Sequence, residues 1–421
     1  MSDEPVTTKE APPEPATGGW FNRTVIGAGL TSFLADVCYE MATAVLPGFL
    51  FVLGLPAALL TGLIEGTADA VSNFAKLAAG WWGDRLGRRK PFVVFGYALT
   101  GATQALFALA TSFGWPLIFL AKTLGWLGKG VRGPLRNAIL AEAVAPADRG
   151  KAFGLHRAGD TLGAVLGPLL AFGLLSWLPA DLFGSQAGPY QVIFLLTLLP
   201  GIGAALTFAL LIRERLRPPN PEMKFWVSLR SLPVPFRRFL VGVGVFGLGD
   251  FSNKLLIVTA IGLLSPGAGL AAASIQGALL YAWLNGCQAA AAFPAGAWGD
   301  RIGPRRPLVF GYLLGAAVMI AFAVVVGSGT ANQLLLFVLL ALAGCYVAIE
   351  EALESVVTAD LVPDVGLRGT AYGVLGTVNG LGDFLSSLMV GLLMQFVSPV
   401  AAFAYAAVMM LLGAVLLARV R

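Results

Sequence analysis

Long apolar runs separated by short polar breaks cover the chain from about residue 24 to its end. Twelve such runs occupy approximately 24–53, 57–82, 92–113, 115–145, 151–177, 190–212, 238–264, 271–297, 308–328, 331–361, 370–397 and 399–419. Each is long enough to cross a roughly 30 Å hydrocarbon core, which takes about 20 residues of helix. They are too long for barrel strands and do not alternate in polarity. The pattern therefore predicts an all-α integral membrane protein of twelve transmembrane helices. Residues 1–22 stand outside it: Pro12, Pro13 and Pro15 with Gly18 and Gly19 interrupt any helix, and the segment reads as a disordered tail. No basic start leads into a short apolar core there, so it does not read as a secretory signal.

The polar breaks repeat. Gly83-Asp84-Arg85-Leu86-Gly87-Arg88-Arg89-Lys90-Pro91 returns 216 residues later as Gly299-Asp300-Arg301-Ile302-Gly303-Pro304-Arg305-Arg306-Pro307. A second pair, Arg149-Gly150-Lys151-Ala152-Phe153-Gly154 and Arg368-Gly369-Thr370-Ala371-Tyr372-Gly373, recurs at nearly the same offset. Two duplicated loops imply two related six-helix halves, 23–212 and 238–421. The connection between them, 213–237, is the only one rich in both proline and charge. In a membrane protein this duplication is the skeleton of an alternating-access transporter.

Charge fixes an orientation. Lys and Arg occur before the first run, in every even-numbered loop and at the chain end, while the odd-numbered loops contain none. The positive-inside rule then places both termini and the even loops in the cytoplasm, as for a multi-pass protein of the cell (inner) membrane. Charged residues make up 12% of the chain against 57% hydrophobic, about half the roughly 25% charge of a soluble domain. The net charge of +5 needs only anionic lipid at the basic loops and no nucleic acid. Cys38, Cys287 and Cys345 lack metal-ligand spacing and read as small packing residues. No phosphate-binding Gly-x-x-x-x-Gly-Lys-Ser/Thr loop is present, which argues against an ATP-driven pump. No cofactor, metal or nucleophile-base set is expected, and the chain reads as a monomer and not an enzyme.

At the duplicated loops the chain resembles the major facilitator superfamily, over essentially its full length after the tail. Gly80, Asp84, Arg85, Gly87, Arg88 and Arg89 match the family's loop signature, and Gly296, Asp300, Arg301 and Gly303 match it again, with Pro304 where a basic residue is usual. The resemblance implies the twelve-helix fold, a small-molecule substrate, a central cavity lined by helices 1, 4, 7 and 10, and a loop that latches the outward-open state. A carboxylate such as Asp84 at a neighbouring helix N-terminus contributes roughly 0.3–1 kcal/mol at an exposed site; a simple anchor of positive charge is the alternative. Gly163-Ala164-Val165-Leu166-Gly167-Pro168 is similar to the family's antiporter motif, although Ala171 and Phe172 stand where a Gly-Gly pair is typical. Ordinary packing of small residues explains that stripe as well as export does.

Ionisable residues inside the runs carry the chemistry, since each is costly in lipid unless paired. Run 1 has Asp36 and Glu40; run 7 has Asp250, Asn253 and Lys254; run 4 has Lys129, Arg132 and Arg136; run 10 has Glu350, Glu351 and Glu354. Aligning Ala141-Glu142 with Ala359-Asp360 sets Arg132 opposite Glu350 and Arg136 opposite Glu354, so the repeats keep positions and reverse charge. Four-residue spacing puts each set on one helical face, and the expectation is acidic and basic faces meeting across a wet cavity. Asp36, Glu40, Asp250, Glu350 and Glu354 are the candidates for proton coupling, because a proton and a nearby guanidinium compete for a carboxyl. Lys129, Arg132, Arg136, Asn253 and Lys254, with Tyr39 and Tyr346, are the candidates for substrate. Ion pairing that only fixes helix orientation is the bland alternative for each. Glu65, Asp69, Asn285 and Asp383 fit either cavity lining or the interface between halves. His156, with Arg157 and Asp160, reads as a wetted structural residue, with proton relay as the alternative.

These features favour a gradient-driven secondary transporter, above all a proton-coupled exporter of a small organic solute. An uptake symporter for an organic anion suits the arginines of run 4 equally well. A non-transporting receptor or scaffold would keep the repeats but has no need of charge at mid-membrane.

Overall fold

A computed structural model describes residues 19–86, 88–145, 149–214, 232–329, 332–362 and 365–420. The anticipated tail, up to residue 18, and residues 215–231 of the connection between halves lie outside the described residues.

Asn22 starts the first helix by accepting hydrogen bonds from the Thr24 and Val25 amides at 3.0 and 3.1 Å, satisfying donors that an open helix end leaves orphaned. From there the described helices line up as twelve rods, with no strand among the described residues. They are α1 (Arg23–Val52), α2 (Ala57–Leu86), α3 (Lys90–Phe113), α4 (Trp115–Glu142), α5 (Arg149–Trp177) and α6 (Gly188–Leu211). The second half runs α7a (Val234–Gly247), α7b (Lys254–Ala268), α8 (Leu270–Ile302), α9 (Arg305–Ser328), α10 (Gln333–Leu361), α11 (Val365–Phe396) and α12 (Pro399–Ala418). Eight of these rods are long and apolar enough to cross a membrane by length and composition. The other four, α2, α4, α7 and α8, fall short for two reasons visible in the chain. The seventh is broken in two, and polar or charged residues interrupt the others: several charges along α2 and α4, and Gln276, Asn285 and Gln288 along α8.

Rod ends sort onto two faces. Asn22 Nδ2 donates to the Ala143 carbonyl beyond α4, Arg23 to the Leu210 carbonyl of α6, Lys90 Nζ to the Ile212 carbonyl, and Arg305 to the Val420 carbonyl. That face carries both ends of the bundle and is called the terminal face below. Opposite it, on the far face, Gln191 of α6 donates to the Ala108 carbonyl of α3, and Ser274 of α8 and the Tyr190 hydroxyl of α6 both stand against Gly48 of α1.

The sequence pattern anticipates twelve continuous helices, and the seventh departs from it. Leu248 to Asn253 are not helical, and the break begins within Gly247-Leu248-Gly249, where two glycines within three residues weaken helix propagation. Its freed backbone groups find side chains on α11: Ser386 Oγ donates to the Asp250 carbonyl at 2.8 Å, and the Ser252 amide donates to Ser387 Oγ at 2.9 Å. Irregular backbone at membrane depth needs such partners inside the protein.

Charged side chains between the halves are more deeply buried on the far-face side than on the terminal-face side. Glu65 and Lys122 are fully buried, whereas Arg157 and Glu351, near the terminal face, have side chains 64% and 54% exposed. The halves also meet along their flanks, where Gly62 and Gly66 of α2 leave no room for a Cβ against Ser387 and Phe384 of α11. Asn285 of α8 donates to the Ala164 carbonyl of α5.

Candidate functional site

The acidic stretch of α1 is held by close contact with α5. A Cβ on Gly163 would stand 2.7 Å from Asp36 Cβ, and one on Gly167 would stand 3.1 Å from Glu40 Cβ. The antiporter-like glycines therefore bring the α5 backbone against the carboxylate-bearing turn, with Pro168 buried in the same helix. Asp36 is buried and takes the Tyr39 hydroxyl proton in a hydrogen bond. Glu40 is half-buried and accepts from the Tyr281 hydroxyl of α8 at 2.8 Å, a contact that crosses between halves.

On α4, Lys129 places its ammonium 4.1 Å from the Tyr39 ring centroid and 5.0 Å from that of Trp126. Arg132, only 3% exposed, lays its guanidinium 4.1 Å from the Tyr97 ring of α3. Arg136, one turn on, donates to the Tyr97 hydroxyl at 3.3 Å. Cation–π contact of this kind stabilises a partly desolvated cation without a counter-charge.

The second half answers with acids. Tyr346 of α10 donates to Asp250 in the α7 break at 3.1 Å. The Asp250 and Glu350 carboxyls lie within hydrogen-bonding reach of each other. Ionised carboxylates only accept, so a hydrogen bond between two carboxyls requires a proton on one of them. Glu354, 2% exposed, accepts from the Tyr312 hydroxyl of α9 at 2.5 Å and from Asn379 of α11 at 2.7 Å. Asn253 ends the break, half-buried, immediately before Lys254 opens α7b.

The expected meeting of α4 cations with α10 acids does not occur in this conformation. The ion pairs among the described residues do not join Lys129, Arg132 or Arg136 to Glu350 or Glu354. The α4 cations lie against Tyr39 and Tyr97 of their own half and Glu354 accepts from Tyr312 of its own, while Arg132 Nη1 has no hydrogen-bond partner among the described residues.

Two polar clusters escaped the sequence reading. Lys122, fully buried on α4, pairs with Glu65 Oε1 at 2.9 Å, donates to Thr43 Oγ1 of α1 at 3.0 Å and sits 3.8 Å from the Trp126 ring centroid. Glu65 Oε2 reaches Lys254 at 3.5 Å across the halves. The other cluster ties the terminal face: Arg89 pairs with Glu142 at 2.6 Å, while Glu214 accepts from the Arg89 and Lys90 amides at 2.5 and 3.0 Å. Glu214 thus supplies the carboxylate cap at the start of α3. Nothing in the spacing of Lys122 marks it, since it stands alone in an apolar stretch; a lone lysine at that depth is itself the signal.

His156 hydrogen-bonds Ser32 of α1 at 3.1 Å and lies 3.8 Å from Asp160, which also takes the Ser32 hydroxyl. Arg157 bridges Asp160 and, at 3.6 Å, Glu351 of α10, which also accepts from Gln288. Asp69 accepts from the Trp126 indole at 2.8 Å.

The duplicated loops are placed only in part. Gly80, Asp84 and Arg85 lie in the last turns of α2, and Asp300 and Arg301 in the last turn of α8. Gly87 and the side chains of Asp84, Arg85 and Asp300 fall outside the described residues, while Arg88 and Arg301 are exposed. Gly303 closes α8 with φ +86°, a left-handed position that glycine tolerates best.

The profile of the Major Facilitator Superfamily matches residues 28–285 and 254–421. The chain belongs to that family. An uncharacterized MFS-type transporter of Methanocaldococcus jannaschii is 32% identical over 396 residues, covering 94% of each chain. The multidrug resistance protein MdtG of Escherichia coli is 26% identical over 318 residues, 72% of this chain and 73% of that one. In structure, the nucleoside transporter NupG superposes with a TM-score of 0.74 at 14% identity, over 94% of this chain and 99% of that one. A D-xylose–proton symporter superposes at 0.72, also 14% identical, over 94% and 98%. These two likenesses speak to fold alone. Family membership makes the chain a multi-pass membrane transporter of the secondary type that moves a small molecule.

Proposed function

We propose that this member of the superfamily is a proton-coupled exporter, exchanging protons for a small organic solute by alternating access between its two halves, 23–212 and 238–421. The carrying observation is the Asp250–Glu350 carboxyl pair at the α7 break, within hydrogen-bonding reach and flanked by Tyr346. A discontinuous helix at mid-membrane exposes backbone and side chains where a coupling ion binds. Asp36, Glu40 and Glu354 extend the set of protonatable groups, each already held by a tyrosine. The similarity to a multidrug resistance protein supports export. Lys129, Tyr39, Arg132, Arg136, Asn253, Lys254 and Tyr346 are the substrate-facing or substrate-orienting set. The terminal face is cytoplasmic on the positive-inside rule, in the inner membrane, with the Gly80–Arg88 and Asp300–Arg301 loops as the latch and one chain as the working unit.

A second reading, uptake of an organic anion with protons, has one observation in its favour. Lys129 is half-buried over two aromatic rings and forms no ion pair with a carboxylate among the described residues. Vesicles containing the purified chain separate the two. With the interior acid, exchange drives permanently charged quaternary ammonium probes inward, and Glu350→Gln abolishes the accumulation. Accumulation of organic anions only when the exterior is acid establishes symport and overturns export.

A further inference from the structure

We propose that Lys122 is a positioning residue of the transport cycle: it keeps Glu65 paired, so that Lys254 can bind and release that carboxylate as the far face closes and opens. The bridge Lys122–Glu65–Lys254 holds two ammonium groups on one carboxylate, with Glu65 and Lys122 fully buried. Its members are not equivalent. Lys122 is anchored entirely within the first half, at 2.9 Å from Glu65, 3.0 Å from Thr43 and 3.8 Å from the Trp126 ring centroid. Lys254 belongs to the second half and makes the longer contact, 3.5 Å.

Lys254 also occupies an odd place for a cation. It is the first residue of α7b, directly after the non-helical segment. A helix N-terminus carries partial positive charge and disfavours lysine. Glu65 offsets that cost from the other half, so the residue at the edge of the break is held by a partner that does not move with it. The bridge lies on the more deeply buried side of the bundle, where Ser274 of α8 and the Tyr190 hydroxyl of α6 both stand against Gly48 of α1.

When the far face opens, Lys254 must part from Glu65. A buried carboxylate stripped of its only cation is strongly destabilised. Lys122 removes that penalty, because it stays behind as the counter-charge. The lock therefore holds and releases without orphaning Glu65. Take Lys122 away and Glu65 depends on Lys254 alone, which favours the closed far face. Take Lys254 away and Glu65 remains satisfied, which frees the far face to open. The two lysines contact the same carboxylate and have opposite effects on the conformational balance.

The test needs no substrate. A cysteine placed by Ser274→Cys, at a position 2% exposed on the closed far face, is introduced into protein whose Cys38, Cys287 and Cys345 are serine. Maleimide labelling of the purified full chain in detergent then reports opening. Lys254→Met is expected to raise the rate about tenfold, equivalent to about 1.4 kcal/mol in the closed–open balance. Lys122→Met is expected to lower it, and Lys122→Arg to restore the starting rate. Glu65→Gln, which removes the shared carboxylate and leaves the Lys122 ammonium to the Thr43 hydroxyl, the Trp126 ring and the remaining amide oxygen, is expected to raise the rate and serves if Lys122→Met does not fold. An unchanged rate in both Lys254→Met and Glu65→Gln overturns the lock. A rise with Lys122→Met matching that with Lys254→Met overturns the division of labour. Both outcomes are independent of whether the transported solute moves with or against protons.

Discussion

Tyr97 on α3 and Tyr312 on α9 stand at matching places in the two halves, each following Phe-Gly in the sequence, and they do opposite jobs. Tyr97 accepts from Arg136 and floors Arg132, whereas Tyr312 donates to Glu354. Arg136 and Glu354 are themselves matched by the repeat. A phenol is both donor and acceptor, so one scaffold position serves a cation in one half and a carboxyl in the other. Duplication supplied the frame, and the tyrosine let the charge invert without rebuilding it. The halves differ in how wet these positions are. Glu354 is 2% exposed and has Asn379 as a further donor, while Arg136 is half-buried.

That difference can be broken most severely by exchanging charge. Glu354→Arg sets a guanidinium among the Tyr312 and Asn379 donors in a buried site. The expected loss is about 3–5 kcal/mol, as for a buried group stripped of its compensation, read as loss of the monodisperse peak on size exclusion. Arg136→Glu is expected to keep that peak, because the Tyr97 hydroxyl reverses to donate. A folded Glu354→Arg protein alongside an aggregated Arg136→Glu one inverts the comparison.

A smaller effect separates the helix contacts that support the two acidic turns. Gly163 meets the Phe33 carbonyl at 2.5 Å from its would-be Cβ, and Gly382 on α11 meets Gly247 Cα at 3.0 Å. Overpacking costs about 1–3 kcal/mol, and Gly163→Ala is expected to lower the thermal midpoint in detergent more than Gly382→Ala. Equal shifts mean that α5 does not press on α1 as tightly as its glycine stripe implies.

The hydroxyls themselves give effects of the same order or less. Tyr312→Phe removes a hydrogen bond to a buried carboxyl and is expected to cost about 1–3 kcal/mol, whereas Tyr97→Phe keeps the ring under Arg132 and is expected to cost less than about 1 kcal/mol. Chemical denaturation in matched detergent compares them directly.

Much of the frame was legible in the chain. The repeated Gly-Asp-Arg loop gave the two halves, and helical spacing put Asp36 with Glu40 and Arg132 with Arg136 on single faces. The partners were not legible, because hydrogen bonds such as Tyr281 to Glu40 join residues 241 apart and depend on how helices rotate against each other. The α7 break escaped because an apolar run reads as continuous helix even where Gly247 and Gly249 weaken it. Lys122 was not legible because it stands alone in an apolar stretch of α4, and its partner Glu65 lies on another helix. Direct pairing of the opposite faces was not legible for a related reason: charge reversal tells which residues are complementary, not which conformation brings them together.

Proton coupling through the Asp250–Glu350 pair is most directly tested by infrared difference spectroscopy of the purified protein across a pH titration. A protonated-carboxyl band that titrates in the native chain and disappears in both Asp250→Asn and Glu350→Gln is the expected result. A band that persists unchanged in both variants contradicts a proton held between these two residues.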